Sequence, residues 1–429
     1  MKLLLKTITS SLLISAMFGS LLGCKDNFIE QHTYTANVPI YMSWSDLRKT
    51  NASLAPKAIV EQGKIYIKDN FLFVNEKYKG IHVFDNSNPT DPLDRGFINV
   101  PGNVGMAVKG NFLYADSYVD LVVFDISHIG NPKEVSRLKG IFPYTIPETT
   151  EPYPISQVDT TKGVIVGWKV ERITERTDQN NFKGIQVYYN KGINSFYTTS
   201  PSAGSDAQLV GVGGSLARFI IFRDQLYALN NNNLQLVDIS NSAQPTAGKK
   251  IELMRMVETL FVENDKLFVG TQTGMFIYDL SNAANPVYIS EYNHFQSCDP
   301  VVVSDGYAYI TMRSGNRCGN FKSLMDVVDL HVISRPEFVK SYNMSEPYGL
   351  GIDTKTLFVC DGSAGLKIYD VSDPLKIDEH LIKVFSNINA TDVIPTGASL
   401  IVLATDGIYQ YNYSDLQNIV LLSHISNGK

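Results

Sequence analysis

Lys266-Leu267-Phe268-Val269, a turn through Thr271 to Gly274, then Met275-Phe276-Ile277-Tyr278-Asp279-Leu280-Ser281 closed by Asn285-Pro286: this stretch decides the fold. Two apolar runs of strand length flank a tight turn, and Asn-Pro stops the second. Related second runs read GIHVFDNSNP from Gly80, DLVVFDISHIGNP from Asp120, NLQLVDISNSAQP from Asn233 and GLKIYDVSDP from Gly365. Weaker copies start at Gly184, Met325 and Gly407. The place held by Asp279 recurs at Asp85, Asp125, Tyr189, Asp238, Asp329, Asp370 and Asn412. A recurrence of roughly 40 residues with several strands per unit marks a radial array of small sheets.

One unit can be read strand by strand. Val257 to Val262 is a first strand, Glu263-Asn264-Asp265 a turn, Lys266 to Gly270 a second strand, Met275 to Leu280 a third and Val287 to Glu291 a fourth. The second strands (Phe71 to Val74, Leu226 to Leu229, Leu357 to Val359) are apolar on both faces, as strands covered on both sides must be. A four-stranded sheet of this kind cannot bury two faces alone, so the array has to close on itself. The expected fold is an all-β β-propeller of eight blades of about 40 residues, mostly four-stranded. The irregular unit at about 150 to 205 has a charged insertion, Glu171 to Asn181, that should project as a loop; if that unit forms no blade, seven remain.

Runs such as Leu234-Gln235-Leu236-Val237-Asp238 resemble the LVIVD-repeat family of bacterial β-propellers, and the likeness covers nearly all of the chain after its leader. It implies an exported propeller of seven or eight blades and implies no reaction.

The first residues read as an export signal. Lys2 and Lys6 form a basic start, Thr7 to Phe18 is mostly apolar, and the apolar stretch is too short to span a bilayer. Leu21-Leu22-Gly23-Cys24 resembles the lipobox of bacterial lipoproteins, which implies lipidation of Cys24 and attachment to the membrane through an N-terminal lipid anchor. Several acyl chains at about 0.8 kcal/mol per buried methylene make a stable anchor. Lys25-Asp26, with Asn27 and Glu30, resembles the surface-export signal of Bacteroidetes lipoproteins. The expected division is a signal peptide at 1–23, a lipidated N-terminus and flexible tether at 24–56, and the propeller at 57–429. A short amphipathic piece at Trp44 to Leu47 should dock on the propeller. The expected location is the outer membrane, periplasmic or surface-exposed.

The chain has 37 basic against 43 acidic residues, a formal net charge of −6, and two of its lysines belong to the leader. That balance argues against nucleic acid as a partner. Cys298 and Cys318 fall in one unit and form a candidate disulfide, since an exported protein meets oxidising conditions. Cys360, inside an apolar strand, reads as a small buried hydrophobe.

The chain has no H-E-x-x-H pairing, nucleophile elbow, P-loop or S-x-x-K. No catalytic residue, metal site or cofactor is therefore assigned. The recurrent Asp before Ser fits an Asx-type turn better than a metal ligand, because one residue per blade cannot converge on an ion. His82 reads as a packed ring. Aligned starts of the first strands line one mouth of the central channel and would bring Glu258, Asp299 and Asp392 together with Arg218 and Tyr348. Carboxylates beside an arginine suit a cation, a sugar or a peptide amine. Two functions follow: a binding module for a protein or glycan ligand, or a hydrolase- or lyase-type propeller enzyme, on glycans for example, that uses those carboxylates.

Overall fold

The computed structural model describes residues 29–49, 53–149, 151–178, 212–213, 218–230, 232–253, 255, 257–293, 300–314, 322–397 and 399–428. The chain forms two compact units, Met42–Thr145 with Ile193–Lys429, and Met1–Tyr41 with Ile146–Gly192. The first unit is a β-propeller of seven blades, each built on a four-stranded antiparallel meander. Its blades begin at Gln62, Met106, Phe219, Val257, Val301, Leu350 and Ala390.

Blade four shows how the sequence makes one sheet. Its strands are Val257–Glu263, Lys266–Thr271, Gly274–Asp279 and Val287–Asn293, close to the sequence reading. The middle strands are buried almost throughout, whereas the fourth is largely exposed. Stacking explains the difference, because neighbouring blades cover the two faces and leave the outer edge to solvent. In all seven blades the pairing of third and fourth strands slips by a bulge. A bulge adds local right-handed twist. Gly274 opens the third strand at φ +143°, and a Cβ there would stand 1.9 Å from the Tyr292 carbonyl oxygen. Only glycine lets the outer strand come that close.

At the opposite end of the third strand the recurrent Asp behaves as the sequence suggests. Asp85, Asp125, Asp238, Asp279, Asp329, Asp370 and Asn412 each accept the backbone N–H two residues on, at 2.8–3.1 Å. These bonds hold the carboxylates below the usual range; the Ser87 hydroxyl, with Arg95 and the Ser87 amide, takes Asp85 down to about 2.

Polar tethers run from each of several blades to the next. Tyr114 donates to the Ser242 carbonyl at 2.9 Å, Tyr227 to that of Ala283 at 2.6 Å, Ser290 to that of Ile333 at 2.5 Å and Tyr342 to that of Pro374 at 2.6 Å. Ser423 continues the series across the closure, donating to the Pro89 carbonyl at 2.7 Å. Asn86 and Gln410 exchange two amide hydrogen bonds at 2.8 and 2.9 Å. Behind them, Ile65, Ile67, Leu72 and Val74 of blade one pack with Ile394, Ile401, Leu403 and Ile408 of blade seven. Side chains make most of the closure, and among the described residues no strand is shared between the ends of the ring.

The expectation of eight blades is corrected to seven. The strand Val164–Asp178, taken for part of a third blade with a looped insertion at Glu171, instead pairs with Ile29–Met42 in a two-stranded ribbon. Asn37 organises this second unit. Its amide group donates to the carbonyls of Glu151 and Tyr153 at 3.0 and 2.7 Å, and its backbone bridges Pro154 and Ser156. The segment 24–56, read as a tether, therefore contributes a strand of 14 residues. It also contributes the helix Trp44–Leu47 and the short strand Ser53–Leu54, which extends the outer edge of blade one. Leu47 is buried, and Arg48 makes a two-point ion pair with Asp120 of blade two at 3.0 and 3.2 Å.

Two outcomes follow. Gly274→Ala should destabilise the propeller by about 1–3 kcal/mol, since it adds both a forbidden φ and a backbone clash; an unchanged urea midpoint would contradict this. The Asx-turn carboxylates have depressed native pKa values, so their stabilisation is complete above the ordinary aspartate value of 3.8 and is lost as pH falls through the native values. Thermal midpoints should therefore drop on acidification below that value. Asp370→Asn should keep the turn bond at neutral pH, as Asn412 does, while Asp370→Ala should cost about 0.5–1 kcal/mol. Equal midpoints for the two variants would refute the Asx assignment.

Candidate functional site

The starts of the first strands line one mouth of the ring. Lys64 lies within Gln62–Lys68 and Arg218 directly before Phe219–Phe222, each four residues before the last residue of its blade's first strand. Asp392 lies near the corresponding start, in Ala390–Pro395. Asp116, near the end of Phe112–Ser117, pairs back to Gly105 at the start of blade two. These four residues come from the contiguous blades seven, one, two and three, and the Lys64 ammonium feels the charges of all the others.

Lys64 is 8% exposed, and its Nζ has no hydrogen-bond partner among the described residues. Desolvation, reinforced by Arg218, pushes its pKa well below the ordinary lysine value, against the pull of Asp116 and Asp392. Asp116 is held on one side only. Its Oδ1 accepts from Asn103 Nδ2 at 2.9 Å, Val104 N at 2.7 Å and Gly105 N at 2.8 Å. Asn103 in turn accepts from Asn75 Nδ2 at 2.6 Å, a buried relay that joins blades one and two. Burial raises the pKa of Asp116, opposed by those two amides and by Arg218 and Lys64.

Asp392 is fully buried and accepts the Val393 N–H at 2.8 Å. Arg218 is half-buried and donates through Nη2 to the Leu229 carbonyl at 3.2 Å. Tyr348, expected beside them, has its ring under the Arg313 guanidinium at 3.9 Å and donates its hydroxyl to Glu346 at 3.0 Å. Glu258 belongs to the first strand of blade four. Its side chain lies outside the described residues, as do Asp299, Cys24, Cys298 and Cys318. Cys360 is a free, fully buried thiol whose pKa burial raises. His82 is fully buried and bonds Glu76 through Nε2 at 2.8 Å.

Sequence reasoning missed Lys64 and Asp116. Lys64 holds the place in blade one that Arg218 holds in blade three, four residues before the end of the first strand, so first-strand register is the signal that finds it. Asp116 stands on a second strand, where no alignment of first strands can find it.

The channel is narrowed beside this set. Gln62–Lys68 is the innermost strand of blade one, and its free edge takes a further strand, Val212–Gly213, opposite Ile67 and Tyr66. At the opposite end of the ring, a cleft of about 330 Å³ between blades five and six is lined by turn residues including Asp305, Tyr307, His331 and Lys355. Its groups are largely committed: His331 bonds Asp329 at 2.8 Å and packs edge-on to Tyr307.

The LVIVD repeat model matches residues 62–97, 103–139, 226–250 and 255–294. The chain carries LVIVD repeats. They fall on blades one to four, and blades five to seven continue the same geometry beyond the matched repeats. No curated protein matches the chain. Among solved structures, a protein from Lactobacillus plantarum aligns at a TM-score of 0.54 with 11% identity, over 85% of this chain and 96% of that one. A computationally designed protein, Ika8, aligns at 0.49 with 10% identity, over 88% and 92%. BamB from Moraxella catarrhalis aligns at 0.43 with 10% identity, over 89% of each. The first likeness is one of fold. The Lys64 set sits on two blades that the LVIVD repeats cover, one they cover in part and one they do not reach.

An unpartnered buried ammonium lowers stability while it is charged. Lys64→Met should therefore be more stable than the parent at pH 7, by about 1–3 kcal/mol. Because the native pKa is depressed, the unfolded chain binds more protons between that value and the ordinary lysine value, and parent stability rises with pH there. The gap should narrow towards pH 10. Urea midpoints of both proteins at the two pH values check this, and a constant gap would contradict it.

Proposed function

We propose that this protein is an outer-membrane lipoprotein, periplasmic or surface-exposed, whose propeller is a binding module with its ligand site at the channel mouth. The observation that carries the site is Lys64 Nζ, buried among Asp116, Arg218 and Asp392 without a hydrogen-bond partner among the described residues. A fold satisfies its own buried polar groups wherever it can, so an exception at a channel mouth marks a place kept for something else. The inner strand Val212–Gly213 lies on the channel edge of blade one, opposite Tyr66 and Ile67 and so deeper than Lys64. A narrow polar site suits a small molecule or the end of a glycan or peptide rather than a broad protein face. The lipid anchor draws on the basic start, the apolar run and the Leu21-Leu22-Gly23-Cys24 site.

A second reading, a hydrolase- or lyase-type enzyme, draws support from Asp116. That carboxyl is raised by burial and presents one oxygen away from its hydrogen-bond donors. Those are properties of a general acid.

Binding at the mouth is tested by a thermal-shift screen of sugars, amino acids, short peptides and small anions, repeated on Lys64→Met/Asp116→Asn. Hits should vanish in the double variant; hits that survive it place the site elsewhere. The anchor is tested by Cys24→Ala, which should move the protein from the membrane to the soluble fraction. Unchanged fractionation would sink the lipoprotein reading. Protease shaving of intact cells separates surface display from a periplasmic location.

A further inference from the structure

We infer that the channel mouth binds a sugar acid, with the ligand carboxylate against Lys64 and Arg218 and a ring hydroxyl on Asp116. This rests on the mouth being the ligand site and adds the chemistry of what enters it.

Unmet hydrogen-bonding capacity sets the ligand's groups. Lys64 Nζ offers three N–H donors, and none is used among the described residues. They call for an oxygen acceptor, and a negatively charged one forms the stronger bond. The ammonium is closed off from solvent, but a lysine carries its charge on a flexible four-carbon stem that can swing towards the mouth. Asp116 presents the complementary need. Its Oδ1 takes three donors and its Oδ2 takes none among the described residues, so Oδ2 is an acceptor awaiting a hydroxyl. A bare anion supplies no such donor. A neutral sugar supplies the donor and leaves the ammonium uncompensated.

Charge selects among anions. Lys64 and Arg218 share the mouth with two carboxylates, Asp116 and Asp392. A doubly charged phosphate would meet both carboxylates as well as the cations, whereas a singly charged carboxylate fits a set that is already nearly neutral. The aromatic surroundings point to a ring. Tyr78 is 42% exposed, is held in the left-handed region at φ 61°, and lies within electrostatic reach of Arg218 and Asp116. Its backbone is fixed by bonds from its N–H to the Asn103 carbonyl and from Gly102 N–H to its own carbonyl, at 2.9 and 2.8 Å. The Tyr78 ring, with Lys77 Nζ 5.4 Å from its centroid, is a partly exposed aromatic surface beside hydrogen-bonding groups, and such a surface suits a sugar, which stacks its C–H face and turns its hydroxyls sideways. The strand Val212–Gly213 limits the depth, so a single ring at the entrance is the natural size.

The test is isothermal titration of the lipidated protein in detergent with D-galacturonate, D-glucuronate, D-galactose, inorganic phosphate and an oligogalacturonide. At least one uronate should bind about tenfold or more tighter than galactose, because one charge-assisted bond separates them. Lys64→Met should weaken that uronate about ten- to hundredfold. Asp116→Asn should weaken uronate and galactose alike. Thermal midpoints verify that both variants are folded. An oligogalacturonide that binds tighter than the monomer identifies a polysaccharide end as the source; a monomer that binds as well or better identifies a free sugar acid. Galactose binding as tightly as the uronates, with both lost in Lys64→Met, would overturn the sugar-acid inference and leave the mouth standing as the site. Phosphate binding as tightly as uronate, or no uronate binding at all, would overturn it too. In that case the mouth stands or falls by its own screen.

Discussion

A blade of this propeller has two apolar faces and one wet edge, so it is stable only between two others. Residues such as Leu72, Phe73 and Val74 are fully buried although they alternate across a single strand. Everything else depends on that mutual covering. The first and last blades need each other as much as any neighbours do, and here, among the described residues, the closure is made without a shared strand. Hydrophobic packing of Ile65 and Leu72 against Ile394 and Ile401 supplies the area. The Asn86–Gln410 amide pair and the Ser423 bond supply direction. The segment before blade one adds a main-chain link, the Gly428 N–H donating to the Ile59 carbonyl at 2.8 Å, and Lys57 ties that segment to buried Glu76 of blade one at 3.3 Å.

How much of this was legible follows from what each feature depends on. Strands and turns rest on local patterns, so Gly274, Asp279 and the doubly apolar Leu267 to Val269 announced their roles. The blade count depended on distant pairing. Val164 to Val166 looks like any second strand, and only its pairing with Ile29–Met42, more than 120 residues earlier, removes it from the ring. No local signal in Val164 carries that information. Asn37, which ties the strand Ile29–Met42 to residues 151–156 of the same unit, gave no signal either, because its value lies entirely in where its amide group points.

The site was half legible for the same reason. Arg218 and Asp392 were found because hairpin register carries first-strand positions to the mouth. Tyr348 was carried there by the same rule, but its side chain turns instead to Arg313 and Glu346. Alignment fixes where a backbone lies and leaves the rotamer open. Asp116 was invisible because its importance comes from Asn103 and two loop amides that gather on one of its oxygens.

The two ends of the ring treat their carboxylates in opposite ways, and this contrast is the strongest support for the proposed site. At the Asx end, seven equivalent side chains each find a backbone N–H two residues away, and most are pulled to low pKa. That end is solved locally, blade by blade, and asks nothing of a ligand. At the mouth the symmetry breaks: equivalent places hold Lys64, Gly105 and Arg218 instead of one repeated residue. A repeat array gains nothing in stability from such variety, and here it leaves a buried ammonium without a hydrogen-bond partner among the described residues. Local rules broken at one end of a ring whose Asx end obeys them are what a binding function would leave behind.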